Sequence, residues 1–471
     1  MNILFVVKDI NLEHLGIMHI SSFLKDRGHR VEAIAANYSD IKKKIKSGSF
    51  KVIAYSVSTL LLDFYISLNA RIKNEFDVFS IFGGPHPTLI PEIIYNNSHI
   101  DCICRGEGEL VMLELAEKMS RNEPIFNIKN LWVKENNRVF KNPLRPLIQD
   151  LDSLPFPDRQ LFTDTGISDQ GKINVITSRG CQYECSYCAQ PAYNRLYSDS
   201  ERRVRRRSPQ DVINEIMEVK KVIRPTFIKF EDDLFISSFK WIDEFCRLYR
   251  QDVNVPFFCY VRPEHVTSKI VKILKKAGCH TMSMGIETAD GYLRTTVLKR
   301  TTSKDDIVAA AHTIKREGLV LEGLNMVGIP RGSLESDIET LKLNIQCNVD
   351  YSNTKLFMPY PGTAIYDFVC QQGLLADTPF FSFWTSSLKF STAREKRATE
   401  NLHKLFALTV GFPFLLPIVK KVIYFPLGRL YIMINLAWEG CVAFFRLYPT
   451  GRRGVCRGVV KYMSIFKNNV A

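Results

Sequence analysis

The 471-residue chain lacks several features that would narrow its function at once. Its opening "MNILFVVKDI" has no basic stretch before the apolar run, and Lys8 and Asp9 follow almost immediately, so it reads as a buried first strand and not an export signal. No GxGxxG leads into a helix, which disfavours a dinucleotide. No paired CxxC or HxxxH stands near the cysteine cluster to complete a four-ligand structural zinc site. Despite a net charge of +14, no zinc finger, recognition-helix pattern or RNP-like aromatic strand accompanies the basic residues. Nucleic acid is therefore not an expected partner. The charge concentrates in "RRVRRR" (Arg202 to Arg207) and in a tail with Arg452, Arg453, Arg457, Lys461 and Lys467. Without a motif, such runs read as solvated or structural.

What is present begins with 12 cysteines. With no sign of export, a reducing cytosol is expected, where clustered thiols bind metal or do redox chemistry. Length and composition allow two or three domains with a sizeable core.

Periodicity divides the chain. Residues 1–142 alternate strands ("NILFVV", "VEAIAA", "KVIAYSV", "VFSIFGG", "IDCICRG") with helical patterns, as in a parallel sheet covered on both faces. In such sheets ligands bind beyond the carboxyl ends of the strands. "GGPHPT" (Gly83 to Thr88) and "RGEGE" (Arg105 to Glu109) follow two of those ends. Residues 143–172 form a proline-rich linker. Residues 173–367 repeat strand and helix six times, with strands "INVITS", "TFIKFED", "PFFCYV", "HTMSMGIE", "VLEGLNMVGI" and "NTKLFMPY". Six units make a partial TIM-like barrel, α/β in class, whose functional residues belong on the loops after the strands. Residues 368–471 read as a helical region capping the active site or lying at a membrane interface.

The first barrel strand leads into "SRGCQYECSYCAQP", with Cys181, Cys185 and Cys188 as CxxxCxxC. Zinc in a structural site would need a fourth ligand from elsewhere. A 4Fe-4S cluster held by three thiolates keeps one iron open to a small molecule, as catalysis requires. Plain packing is the remaining alternative, and it is the reading preferred for the other nine cysteines, such as Cys102, Cys104 and Cys246.

This array, with aromatic Tyr187 before the last cysteine, resembles the radical S-adenosylmethionine superfamily. The resemblance implies that Cys181, Cys185 and Cys188 are cluster ligands and that S-adenosylmethionine is split to a 5′-deoxyadenosyl radical. "KFEDDLF" makes Glu231, Asp232 and Asp233 candidates for the cofactor's amino group, "GIET" offers Glu287, and "PYPGT" resembles the turn after the sixth strand. "RRVRRRSPQDVINEI" is also similar, with Ser208 placed to cap a helix begun by Pro209.

Ahead of the barrel, "LGIMHISSFLKDRGHRVE", "GGPHPT", "RGEGE" and "DLDSLPFPDRQLF" resemble a Rossmann-like cobalamin-binding domain, although no DxHxxG supplies an axial histidine. The resemblance makes Gly83, Gly84, His86, Gly106 and Glu107 candidates for lining the corrinoid site. It implies an enzyme with a 4Fe-4S cluster, S-adenosylmethionine and cobalamin, fed by an electron donor such as flavodoxin or ferredoxin. The expected reaction is methylation of an unactivated carbon of a small-molecule intermediate, in the cytoplasm. The alternatives are a cyclase, oxidase or rearrangement enzyme of the same build, or a non-catalytic corrinoid or iron-sulfur sensor. The apolar carboxyl helices suggest peripheral membrane contact and a lipid-like substrate.

Overall fold

Short runs rich in Val, Ile and Phe, buried on both faces, form the central strands of the two large sheets. The computed structural model describes residues 1–136, 138–165, 171–197, 204–377, 381–442 and 446–447. The chain divides into two compact units. One draws on Met1–Ile167, Cys188–Arg206 and Tyr360–Thr363, the other on Ser168–Tyr187, Arg207–Pro359 and Ala364–Ala471. The periodicity places linear borders at 142, 172 and 367, whereas here two later segments group with the first unit.

The first unit contains β1 (Asn2–Val7), α1 (Leu15–Lys25), β2 (Arg30–Ala35), α2 (Tyr38–Gly48), β3 (Val52–Ser56), α3 (Leu62–Lys73), β4 (Phe79–Gly83), α4 (Pro85–Leu89), β5 (Cys102–Cys104), α5 (Glu109–Ser120), β6 (Leu131–Glu135) and β7 (Arg138–Lys141). Its sheet order is β2-β1-β3-β4-β5-β6-β7. β1 pairs in parallel with β2 on one side and β3 on the other, so the connections diverge there, and it is beyond the strand ends at such a switch point that sheets of this kind bind ligands. The antiparallel hairpin β6–β7 extends the sheet. The strand-and-helix pattern did not anticipate it.

The later elements are β8 (Lys172–Val175), β9 (Ser178–Arg179), α6 (Ala189–Asn194), β10 (Arg205–Arg206), α7 (Pro209–Val222), β11 (Phe227–Phe230), α8 (Phe239–Leu248), β12 (Phe257–Val261), α9 (Ser268–Ala277), β13 (Cys279–Glu287), α10 (Lys304–Arg316), β14 (Val320–Val327), α11 (Leu334–Gln346), β15 (Tyr351–Leu356), α12 (Ala364–Gln371), α13 (Ala393–Gly411), α14 (Leu416–Val422) and α15 (Gly428–Val442). The six expected barrel strands form one parallel sheet in the order β15-β14-β13-β12-β11-β8, an open half-barrel. Local chemistry sets its helix starts. Ser208 accepts the Asp211 N–H ahead of Pro209, and Ser303 and Asp306 form a capping box on α10. An aromatic cluster braces β11 from behind: the Phe230 ring lies 4.9, 5.4 and 5.5 Å from those of Phe235, Phe245 and Phe257. Each such buried ring contributes about 1.5–3 kcal/mol of transfer free energy, fixing the strand that carries the acidic turn.

The carboxyl helices join this unit's core. Ala398, Leu402, Leu405, Phe406 and Val410 of α13 pack in one cluster with barrel strands and helices, and His403 Nε2 lies 3.2 Å from the Thr354 carbonyl. Pro413 and Pro417 end the apolar stretch early, since proline removes a helix donor, and among the described residues no helix is long and apolar enough to cross a membrane. The basic tail, Arg452 to Lys467, lies outside the described residues, as do Arg202 and Arg203 of the arginine run.

Candidate active site

The cysteine loop leaves β8 and is fastened to the second unit at four points. Asp232, 2% exposed at the end of β11, accepts the Thr177 N–H at 3.1 Å, the Thr177 hydroxyl at 2.8 Å and the Ser178 hydroxyl. Arg262, just past β12, donates from Nη1 to Cys185 Sγ at 3.4 Å, and its guanidinium carbon sits 3.5 Å from the centre of the Tyr183 ring. The Tyr183 hydroxyl in turn pairs with His265 Nε2 at 2.6 Å. Ser186 donates its N–H to the Leu298 carbonyl at 3.1 Å and its hydroxyl to the Val297 carbonyl. Tyr187 donates to Glu287 Oε1 at 3.0 Å.

Glu287 closes a buried triad. Arg300 Nη1 lies 3.0 Å from Glu287 Oε1 and 3.1 Å from the Tyr187 hydroxyl, while Nη2 donates to the Gly285 carbonyl at 2.9 Å. Burial pushes the Glu287 carboxyl up, and the Arg300 charge beside it opposes that push. The Glu287 backbone has φ 64°, where the β13–β14 register slips between Gly285 and Glu287. A left-handed glutamate costs of order 1–3 kcal/mol and persists where the surroundings over-determine it, as this triad does.

The predicted acidic residues thus part company. Asp232 anchors the loop, and Glu231 forms an ion pair with Lys229 at 2.8 Å. Asp233 is exposed, and its charge helps raise the Cys181 thiol, after burial as the largest cause. Cys188 is described with the first unit, as N-cap of α6, its sulfur accepting the Gln190 N–H at 3.5 Å. None of the three cysteines is in a disulfide. Among the described residues no three metal-ligating side chains already converge, so the fit rests on donor chemistry: three thiols within one eight-residue stretch, one of them receiving a guanidinium hydrogen bond, are the donor type that suits an iron-sulfur cluster with an open iron. Of the other described cysteines most are buried as the packing reading expects, but Cys370 and Cys441 are exposed, so their helix positions do not bury them.

In the first unit the glycine-bearing loops meet at the carboxyl ends of β4 and β5. Gly84 has φ 97°, and a Cβ there would lie 2.8 Å from the Val57 nitrogen, so only glycine fits this approach. Thr88 ties the two loops, donating to the Gly84 carbonyl at 2.7 Å and accepting the Gly106 N–H at 3.1 Å. Gly83 ends β4 itself. His86 is 6% exposed, with Nδ1 2.9 Å from the Thr59 hydroxyl and Nε2 unpartnered among the described residues. Burial lowers its pKa, against the Asp63 charge, and so favours the neutral imidazole. Glu107, on the loop of Gly106, is held on both carboxylate oxygens. It accepts the Ile148 N–H at 2.9 Å and pairs with Arg205 at 2.8 Å.

That pair decides between the solvated and the structural reading of the arginine run, in favour of the structural one for Arg205 and Arg207. Arg205 and Arg207 are each 5% exposed. Arg207 pairs with Asp211 at 2.7 Å and Glu215 at 2.5 Å, since a buried cation must find carboxylates. The pattern missed Arg205, Arg262 and Arg300 as site-building residues. The "YVRPEH" and "LKRTT" segments offered only an arginine soon after an apolar run as a cue.

Comparison with known proteins bears on both units. A family model of the radical SAM superfamily matches residues 175–343, and one of the B12 binding domain matches residues 3–116. An uncharacterized methyltransferase of Pyrococcus horikoshii is 30% identical over 372 residues, which cover 77% of this chain and 79% of that protein. The anaerobic magnesium-protoporphyrin IX monomethyl ester cyclase of Rubrivivax gelatinosus is 26% identical over 400 residues, covering 79% and 69%. The solved structure of the cobalamin-dependent S-adenosylmethionine radical enzyme OxsB with aqua-cobalamin bound shares the fold at TM-score 0.68 and 17% identity, covering 94% of this chain and 72% of that one.

Proposed function

The chain belongs to the radical SAM enzymes that carry an amino-terminal B12-binding domain, and from that premise we propose that it methylates an unactivated carbon of a small-molecule substrate. The observation that carries the reading is the fastened three-cysteine loop after the first strand of the half-barrel, in a chain whose first unit matches a B12-binding domain and has a switch point in its strand order. The methyltransferase relative covering most of both chains supports methyl transfer. The cyclase relative supports ring closure as the second reading.

Cys181, Cys185 and Cys188 would hold the 4Fe-4S cluster, and Gly83, Gly84, His86 and Gly106 would line the corrinoid site, braced by Glu107. When bound, the cluster supplies one electron to the sulfonium of S-adenosylmethionine, and the corrinoid a transferable methyl. The chain's own residues position and shield. Asp232 fixes where the loop begins, and Tyr187, Glu287 and Arg300 fix where it ends. Asp233, exposed near Cys181, is the acidic residue we assign to the cofactor's ammonium. The electron comes from a low-potential one-electron donor.

Anaerobic reconstitution is expected to give one corrinoid and about four irons per chain. With S-adenosylmethionine and a low-potential reductant, 5′-deoxyadenosine should accumulate, and with substrate a product heavier by one methyl group. Iron without corrinoid would remove methyl transfer from the proposal while leaving the cluster chemistry standing.

A membrane-proximal, apolar substrate is supported by one feature. Phe414 (73% exposed), Ile418 (55%), Phe425 (55%) and Met433 (51%) are exposed beside Lys421 and Arg429, as on a surface that meets anionic lipid. The chain should float with phosphatidylcholine–phosphatidylglycerol vesicles, and the F414S/F425S variant should not. Wild-type protein left at the bottom of the gradient ends this reading.

A further inference from the structure

Arg262 does more than pin the cysteine loop. Its guanidinium is held from three directions. Nη2 pairs with Glu264 at 2.7 Å, the flat face covers Tyr183 at 3.5 Å, and Nη1 is left to reach Cys185 Sγ at 3.4 Å. Glu264 is fixed in turn by the Thr302 hydroxyl, and its carboxyl is pulled down to about 2 by the Arg262 and Thr302 hydrogen bonds, against the upward push of burial. Its charge is therefore present throughout the neutral range and keeps the guanidinium aimed. Arg262 and Cys185 are 77 residues apart, so the contact exists only through the β12 end. Cys185 is 7% exposed, so little water competes for its sulfur.

Resting on the radical SAM reading above, we propose that Arg262 is a positioning residue that sets the reduction potential of the cluster held by Cys185. A hydrogen bond from a cation to a thiolate sulfur draws off electron density, and it stabilises the more negative, reduced cluster more than the oxidised one. Hydrogen bonds to the sulfurs are among the established controls of iron-sulfur potentials. Reduction from the 2+ to the 1+ level takes one electron from the donor, here titanium(III) citrate, and Arg262 neither breaks a bond nor moves a proton. The arrangement makes the cluster easier to reduce by the cell's donor than three bare thiolates would.

The test is a potentiometric titration followed by electron paramagnetic resonance, on the full-length, anaerobically reconstituted holoenzyme. R262M, with iron at the wild-type level, should shift the midpoint to more negative potential, and R262K, which keeps a cation but loses the planar fork, should fall between. E264Q, which leaves Arg262 in place but weakens its anchor, should shift in the same direction by less. An unchanged midpoint in an iron-replete R262M overturns the proposal. If R262M does not load iron, an unchanged midpoint in both R262K and E264Q does so. A wild-type chain that binds no cluster would instead overturn the radical SAM reading itself.

Discussion

Replacing Cys185 with alanine is expected to take bound iron from about four per chain to near zero and to reduce 5′-deoxyadenosine formation to background. A cluster with three protein thiolates has one open iron. With two it has a second unsupported corner, and the Arg262 hydrogen bond loses its acceptor. Cys181→Ala and Cys188→Ala should behave alike, because the role belongs to the array and not to one environment. Cys246→Ala is the control. Its thiol is buried on α8 and pushed up above 9 by burial, so it has the character of a packing residue and its loss should leave iron content unchanged. Anaerobic iron analysis and product chromatography on the four variants check the expectation. Full iron loading in Cys185→Ala would return the loop to the packing reading.

Arg300→Met should produce the largest loss of stability among single changes near the site. Arg300 and Glu287 form a buried pair with side-chain exposures of 4% and 10%. Removing one member of such a pair costs about 3–5 kcal/mol, because the other charge is left uncompensated. Here the lower end is expected, since burial already pushes the Glu287 carboxyl up and it can take a proton. That escape makes the defect depend on pH. With its folded-state pKa raised above the ordinary 4.5, Glu287 contributes stability that is fully present below about pH 4.5 and is lost as pH rises through the folded value. The variant should therefore lie closer to wild type near pH 5 than at pH 8, as measured by urea denaturation at both. The double change E287Q/R300M should recover part of the loss, as removing both members of a buried pair does. A pH-independent deficit would mean that packing of the arginine stem, and not its charge, is what matters.

These two predictions draw on different levels of the chain. The cysteine prediction is legible in eight residues, because a cluster needs its thiols close together and sequence spacing alone can bring them close. The six barrel strands were legible for a similar reason. Parallel strands buried on both faces must be near-continuous apolar runs, and helices between them must show a 3.6-residue period. Ser208 and Pro209 announced the start of α7, since capping is a local hydrogen bond. The hairpin β6–β7 is local too, but its strands of five and four residues are too short to leave a distinct period. The residue before β7, Asn137, lies outside the described residues.

The sequence by itself therefore determined the thiol array, the order and type of most elements, and the glycines where loops must approach closely. Only the tertiary structure decided which residues share a site. Tyr187 meets Glu287 across 100 residues and Arg300 across 113, and Glu107 meets Arg205 across 98. It also made Asp232 the anchor of the loop, and set Arg205 and Arg207 of the arginine run into buried ion pairs. The physical reason is that partners brought together by strand order and register leave no periodic trace in either segment, and a buried charge takes whichever opposite charge the packing supplies.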